Sequence, residues 1–179
     1  MKKSFLTIAI VFITLLSCKD KATPKDDENG VTNELAVKDY YEVTMDLVAT
    51  KNDSFHVYYT EDGSANFTEE NSVWCEFKGS PNSQKLVFKL PEERTPNQLR
   101  LDFGLNKEQG DVKVNNIEIS YKNKVFNIKG GDITKYFTPN SLSTTIDLVN
   151  QTIKPLKTGN NTSLYPIETL KPELEKLLK

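Results

Sequence analysis

Few residues in this chain of 179 could carry out chemistry. The chain has one histidine, His56, and two cysteines, Cys18 and Cys75. A Ser-His-Asp triad would have to use His56, and a metal site built on cysteine and histidine is nearly excluded because Cys75 stands alone. The sequence shows no nucleophile elbow, phosphate loop or metal signature. It therefore predicts a protein that is not an enzyme and that needs no cofactor or metal.

Acidic residues are numerous, and paired carboxylates could in principle hydrolyse a glycosidic bond. Most of them lie in predicted turns or on polar strand faces, where charge is expected. Asp102 differs because it follows Leu101 at the end of an apolar strand, beside Arg100. We interpret it as a partner in an ion pair or a turn hydrogen bond. Glu61 and Asp62 offer the oxygen ligands that Ca²⁺ prefers, but their spacing matches no known calcium loop.

Aromatic side chains on the solvent face of a strand are the better candidates for binding. In residues 73–77 the alternation places Val73, Cys75 and Phe77 on the core side, so that Trp74 points outward. In residues 55–59 the same alternation sends His56 and Tyr58 outward. Exposed aromatic rings stack on sugar rings. We therefore predict that Trp74, Tyr58 and His56 bind a ligand, unless a bulge, a second sheet or a terminal helix covers Trp74; His56 itself we expect to be a partly exposed surface histidine.

Short segments of alternating polarity predict the strands that position these residues. We expect segments 41–49 and 55–59 to form a hairpin. Segments 99–103, 112–121 and 125–128 should form an antiparallel meander. About eight strands with no helical periodicity before the end of the chain indicate an all-β fold, an antiparallel two-sheet β-sandwich. The predicted strands are 41–49, 55–59, 73–77, 86–90, 99–103, 112–121, 125–128 and 146–148.

Two helical segments complete the prediction. The sequence GDITKYFTPN, residues 131–140, favours a single helical turn that ends before Pro139. Near the C-terminus, Leu170, Leu174 and Leu177 recur at helical spacing, which predicts a short amphipathic α-helix. We expect its leucines to pack on the sandwich, and the alternative is that they dock to a partner.

The N-terminus has the outline of a secretory signal. Lys2 and Lys3 precede an apolar run over residues 5–16 that is too short to span a membrane. The motif Leu15-Leu16-Ser17-Cys18 resembles the lipobox of bacterial lipoprotein signal peptides. This resemblance implies that residues 1–17 are removed and that Cys18 carries lipid, which leaves no second thiol for an intramolecular disulfide with Cys75.

Residues 18–37 are charged and contain no aromatic side chain, so we predict a flexible acidic tether before a domain at 38–179. The KDDE run at 25–28 is similar to the acidic surface-export tags of some Gram-negative lipoproteins. Lys19 stands where inner-membrane retention signals typically place aspartate. We therefore expect a lipid-anchored protein of the bacterial cell envelope, in the outer membrane, with exposure at the cell surface left open.

Part of the domain also shows a resemblance to known families. The segments LRLDFG and VKVNNIEISY resemble paired strands of galactose-binding-like jelly rolls. Together with YFTPN at 136–140 they are similar to β-domains of bacterial membrane glycosyltransferase-like proteins and of envelope lipoproteins. The resemblance covers residues 97–140 and implies a jelly-roll-like sandwich, but no family binding residue can be carried over.

The net charge of −2 excludes one class of partner, since nucleic acids require clustered Lys and Arg. We expect a cell-envelope lipoprotein that contacts the membrane through lipid on Cys18 and carries a non-catalytic binding module, with a glycan as the candidate ligand. The alternative is a structural or assembly lipoprotein that pairs with an outer-membrane protein through a sheet edge or the C-terminal helix.

Overall fold

Two antiparallel sheets packed face to face make up the computed structural model, which describes residues 39–156 and 161–179. The predicted signal peptide and tether, with Cys18, lie outside the described residues. Two short 3-10 turns, Glu69–Asn71 and Gly130–Lys135, and one helix, α1 (Leu170–Leu178), accompany the strands. The strands are β1 (Tyr41–Ala49), β2 (Asp53–Thr60), β3 (Ser72–Phe77), β4 (Ser80–Lys89), β5 (Gln98–Asp102), β6 (Val112–Tyr121), β7 (Lys124–Lys129), β8 (Phe137–Pro139), β9 (Thr144–Asp147), β10 (Thr152–Pro155) and β11 (Ser163–Pro166).

The six-stranded sheet has the order β4-β1-β6-β10-β9, with β7 also paired to β6, and the five-stranded sheet has the order β3-β2-β5-β11-β8. The prediction of an all-β, two-sheet sandwich with a short C-terminal helix is therefore confirmed. The helical turn predicted after residue 130 is also confirmed, as Gly130–Lys135.

Two predicted strand pairings are wrong. β1 and β2 do not form a hairpin, because β1 pairs with β4 and β6 while β2 pairs with β3 and β5 in the other sheet. The meander is correct for the β6–β7 hairpin, but β5 lies in the five-stranded sheet. Two consecutive strands in opposite sheets bury the same alternating apolar rows as two strands in one hairpin, so alternation alone cannot distinguish the two arrangements.

The strand count was also too low. β8, β10 and β11 were not predicted because they have only three or four residues each, too few for an alternation to stand out. This omission matters for the site, since Tyr165 lies on β11.

The core lies between the two sheets and is lined by the inward rows of both. Phe55 and Val57 on β2 and Ile117 and Ile119 on β6 belong to these rows, and all four are fully buried. The stripe of Leu170, Leu174 and Leu177 on α1 is buried as well, and the Tyr41 hydroxyl donates a hydrogen bond to the Leu174 carbonyl (3.1 Å). The prediction that these leucines pack on the sandwich is confirmed. A membrane-crossing helix is not found among residues 39–156 and 161–179.

Candidate functional site

The three predicted binding residues meet on the outer face of the five-stranded sheet. His56 on β2 lies opposite Trp74 on β3, and Tyr58 lies two residues further along β2. On the other side of β2, His56 faces Asp102 and Tyr58 faces Arg100, both on β5. Alternate residues of a strand point to the same side, so these five side chains point away from the core. We refer to them, together with Glu69, Phe67 and Tyr165, as the Trp74 surface.

The His56 ring is stacked on the ring of Trp74 and also contacts the ring of Tyr58, which is tilted by 46° to it. The Trp74 and His56 rings are 3.7 Å apart between centroids and nearly parallel, with 20° between their planes, and the His56 and Tyr58 centroids are 3.9 Å apart. Trp74 is 41% exposed, whereas His56 is only 1% exposed. The indole therefore covers the imidazole with one face and leaves part of its surface open to solvent.

A single carboxylate fixes the orientation of two of these rings. Trp74 Nε1 donates a hydrogen bond to Glu69 Oε1 (2.6 Å), and the Tyr58 hydroxyl donates one to Glu69 Oε2 (3.1 Å). Glu69 begins the 3-10 turn that leads directly into β3, which is why it lies beside Trp74. The hydrogen bond from Trp74 holds the pKa of Glu69 below its usual value, while burial and then the Glu69 bond raise the pKa of Tyr58 to about 12. Glu69 is therefore an anion and Tyr58 a neutral donor at neutral pH.

His56 is outward-facing but buried, so the prediction of a partly exposed histidine is wrong. Neither of its ring nitrogens has a hydrogen-bond partner among the described residues. Its closest charged neighbour is Glu69, whose Oε1 lies 3.8 Å from Nε2, too far for a hydrogen bond. Burial lowers the pKa of His56 to about 4, so that the imidazole is neutral at pH 7. An unpaired buried polar group costs about 1–3 kcal/mol. Hydrogen bonds therefore do not compensate the cost of burying the His56 ring.

Arg100 and Asp102 form the ion pair predicted from the sequence. Arg100 Nε and Nη2 donate to the two Asp102 oxygens at 2.8 and 2.6 Å. The Arg100 guanidinium also lies over the rings of Tyr58 (4.7 Å) and Tyr165 (5.0 Å). Asp102 is 2% exposed, and burial raises its pKa although the hydrogen bonds from Arg100 oppose this. The ion pair fixes the positions of Arg100 and Asp102 within the Trp74 surface, and Asp102 largely neutralises the positive charge of Arg100.

Phe67 covers the half of the surface that lies away from Trp74. Its ring makes edge contacts with Tyr58 (6.4 Å) and Tyr165 (6.1 Å). Sequence reasoning identified neither Phe67 nor Glu69 as part of a site. The available signal was that Phe67 is the only aromatic residue between Thr60 and Asn71, because a lone aromatic side chain in a long polar loop favours packing back onto the domain.

Glu61 and Asp62, the candidate calcium ligands, already accept hydrogen bonds from the protein, Glu61 from the segment before β5 and Asp62 from its own loop. Glu61 Oε1 accepts a hydrogen bond from the Thr95 backbone N–H (2.6 Å), and Asp62 Oδ1 accepts one from the Ser64 backbone N–H (2.9 Å). In the part of the chain that the structure describes, no group of three or more His, Cys, Asp or Glu side chains could hold a metal ion.

A cavity of about 490 Å³ lies at one end of the sandwich. The loop that follows β5 forms most of its wall, and Asp53 holds this loop by accepting hydrogen bonds from the backbone N–H groups of Leu105 (2.7 Å) and Asn106 (3.0 Å). We assign no ligand to this cavity. Its lining residues are Gly104, Leu105, Asn106, Lys107, Gln109, Gly110, Asp111, Pro155, Leu156 and Thr162.

The fold and the Trp74 surface define an all-β sandwich that presents aromatic and acidic side chains on its outer face. A scan against protein-family models gave no match, and searches of curated proteins and of solved structures found none either. The resemblance of residues 97–140 to galactose-binding-like jelly rolls and the lipobox ending at Cys18 therefore stay predictions.

Proposed function

We propose that this protein is a cell-envelope lipoprotein whose β-sandwich is a non-catalytic module that binds a glycan on the exposed face of Trp74. The lipobox and secretory leader support the envelope location, and lipid on Cys18 would supply the anchor. Two or more acyl chains anchor a protein stably, since each buried CH₂ contributes about 0.8 kcal/mol.

The observation that carries the binding role is an exposed indole already held in place. Trp74 is 41% exposed, yet its ring is stacked on His56 and hydrogen-bonded to Glu69. Ordering a rotamer-rich side chain costs about 0.5–1.5 kcal/mol on binding. A ring fixed in advance avoids most of this cost and offers a flat apolar face to a sugar.

Asp102, the carboxylate that the sequence singled out, does not support hydrolysis. Glycosidases place two carboxyl groups on either side of the scissile bond. Of the two carboxylates bonded within the Trp74 surface, Glu69 is exposed, whereas Asp102 is buried and paired with Arg100. Asp102 is therefore not accessible to a substrate.

A glycan array probed with the full chain tests this proposal. We expect retention on at least one glycan, and we expect Trp74→Ala to abolish it without loss of folding. Val87→Ala is the matched control, because Val87 is also 41% exposed but lies on β4 of the other sheet. Trp74 is the chain's only tryptophan, so its fluorescence reports binding directly. The absence of retention on any glycan, or equal loss in both variants, would contradict the proposal.

The anchor is tested separately by growth with labelled palmitate. We expect label on the wild-type protein and none on Cys18→Ala, which should leave the membrane fraction. Unlabelled wild-type protein would refute the lipoprotein part of the proposal and leave the binding part untouched.

The alternative, an assembly role with an outer-membrane protein, has less support. The route through the C-terminal helix has less support because Leu170, Leu174 and Leu177 of α1 are buried. Its route through a sheet edge predicts a stoichiometric envelope partner when the tagged protein is isolated, and recovery of such a partner would favour this role.

A further inference from the structure

The exposed indole of Trp74 lies between two acidic side chains. Glu69 accepts the hydrogen bond of Trp74 Nε1 at 2.6 Å and its side chain is 63% exposed. Glu76, two residues along β3 on the same face, is also exposed and accepts a hydrogen bond from Ser54 Oγ (2.8 Å). A molecule stacked on the indole would therefore lie next to both carboxylates.

The cationic groups nearest to Trp74 do not offset these charges. Arg100 is paired with Asp102 through two hydrogen bonds. His56, directly beneath the indole, is neutral because burial lowers its pKa to about 4. Lys78 is exposed and lies beyond the end of β3, four residues from Trp74, which is roughly 13 Å at the spacing of an extended chain. That distance exceeds the Debye length of about 10 Å at 0.1 M salt.

The carboxylates also determine which polar groups a ligand must present. An ionised carboxylate only accepts hydrogen bonds, and its two oxygens offer about four acceptor positions. Glu69 uses two of these positions, for Trp74 and Tyr58, and Glu76 uses one, for Ser54. The remaining positions suit hydroxyl donors, and hydrogen bonds to a charged acceptor are stronger than those between neutral groups.

We infer that the Trp74 surface selects uncharged saccharides with free hydroxyl groups and rejects anionic ones, because Glu69 and Glu76 border the stacking face. This inference rests on the proposed glycan-binding function and adds the charge class of the ligand. A ligand carboxylate, sulfate or phosphate at this position would meet two like charges. Near 4 Å in water each such contact weakens binding about fivefold, so two predict a discrimination of about thirtyfold at low salt.

The test uses matched ligands and the full chain. Oligosaccharides of glucose, galactose and mannose are compared with the same oligosaccharides oxidised at C6 to uronates, and binding is followed by Trp74 fluorescence. We expect each neutral oligosaccharide that binds to do so about thirtyfold more tightly than its uronate at low salt. The ratio should shrink at higher ionic strength, because salt screens exposed charges.

Glu69→Gln and Glu76→Gln should each reduce this ratio several-fold, mainly through tighter binding of the uronate. Glutamine retains an oxygen that can accept the hydrogen bond from Trp74 or from Ser54. Glu118→Gln on β6 of the opposite sheet is the control and should leave the ratio unchanged.

Three results would count against the inference. Equal or tighter binding of uronates through Trp74 would overturn the charge selectivity but leave the glycan-binding function standing. A ratio that is unaffected by both glutamine variants would show that Glu69 and Glu76 do not set it. No fluorescence response to any neutral or oxidised oligosaccharide would refute the proposed function, and this inference with it.

Discussion

Removing the positive charge of Arg100 tests the most closely bonded part of the Trp74 surface. In Arg100→Gln, Asp102 keeps its 2% exposure but loses both hydrogen bonds from the guanidinium. Breaking a fully buried ion pair from one side costs about 3–5 kcal/mol. The Arg100 side chain is 18% exposed and Asn161 gives Asp102 a further hydrogen bond, so we expect the lower end, about 3 kcal/mol at pH 7.

The pH dependence of this loss follows from the pKa of Asp102. Burial already raises this pKa, and removal of Arg100 takes away the main effect that lowers it. A raised pKa in the folded state means that the variant is most stable where Asp102 is protonated and loses stability as the pH rises. Relative to the wild type at the same pH, the deficit should therefore be largest at pH 7 and shrink towards pH 4.

Thermal and urea unfolding measure the effect. A loss of about 3 kcal/mol corresponds to a drop in Tm of about 10 °C for a domain of this size. The double variant Arg100→Gln with Asp102→Asn should recover most of the loss, because no buried charge then lacks a partner. Lys135→Gln removes an exposed ion pair with Asp132 and should have no measurable effect. A deficit that is the same at pH 4 and pH 7, or no recovery in the double variant, would refute the reasoning.

Two further substitutions test other parts of the structure. Gly104→Ala should destabilise the domain by about 1–3 kcal/mol in urea unfolding, because φ is +99° and the new Cβ would overlap the Asp53 carboxylate. Gly110→Ala is the control and should be close to neutral, since no atom lies near its Cβ position. Equal effects at both sites would contradict this account. His56→Phe should raise the free energy of unfolding by about 1 kcal/mol, since it keeps an aromatic ring under Trp74 and removes two unpaired nitrogens. In the wild type the depressed pKa of His56, about 4, makes the free energy of unfolding fall as the pH falls from 6.5 towards 4. His56→Phe should lose this part of the pH dependence. If the dependence of stability on pH is the same in the variant, His56 does not cause it.

The sequence by itself determined the elements and the direction of many side chains. Alternation is a local property of an extended strand, so Trp74 and Tyr58 could be placed on the outer face without knowledge of any partner strand. Helical spacing identified the leucine stripe of α1 in the same way. The position of Asp102 beside Arg100 indicated an ion pair or a turn hydrogen bond, and the structure shows the ion pair.

The tertiary structure alone decided which strands pair and what covers each outward side chain. β1 and β2 lie in different sheets, although their alternation would suit a hairpin equally well, because pairing depends on contacts between residues far apart in sequence. The same is true of His56, whose burial results from the placement of the Trp74 and Tyr58 rings around it. Glu69 joins the surface only because the turn before β3 brings it there. Local periodicity fixes the face of a strand on which a residue lies, but its neighbours there are set by long-range register.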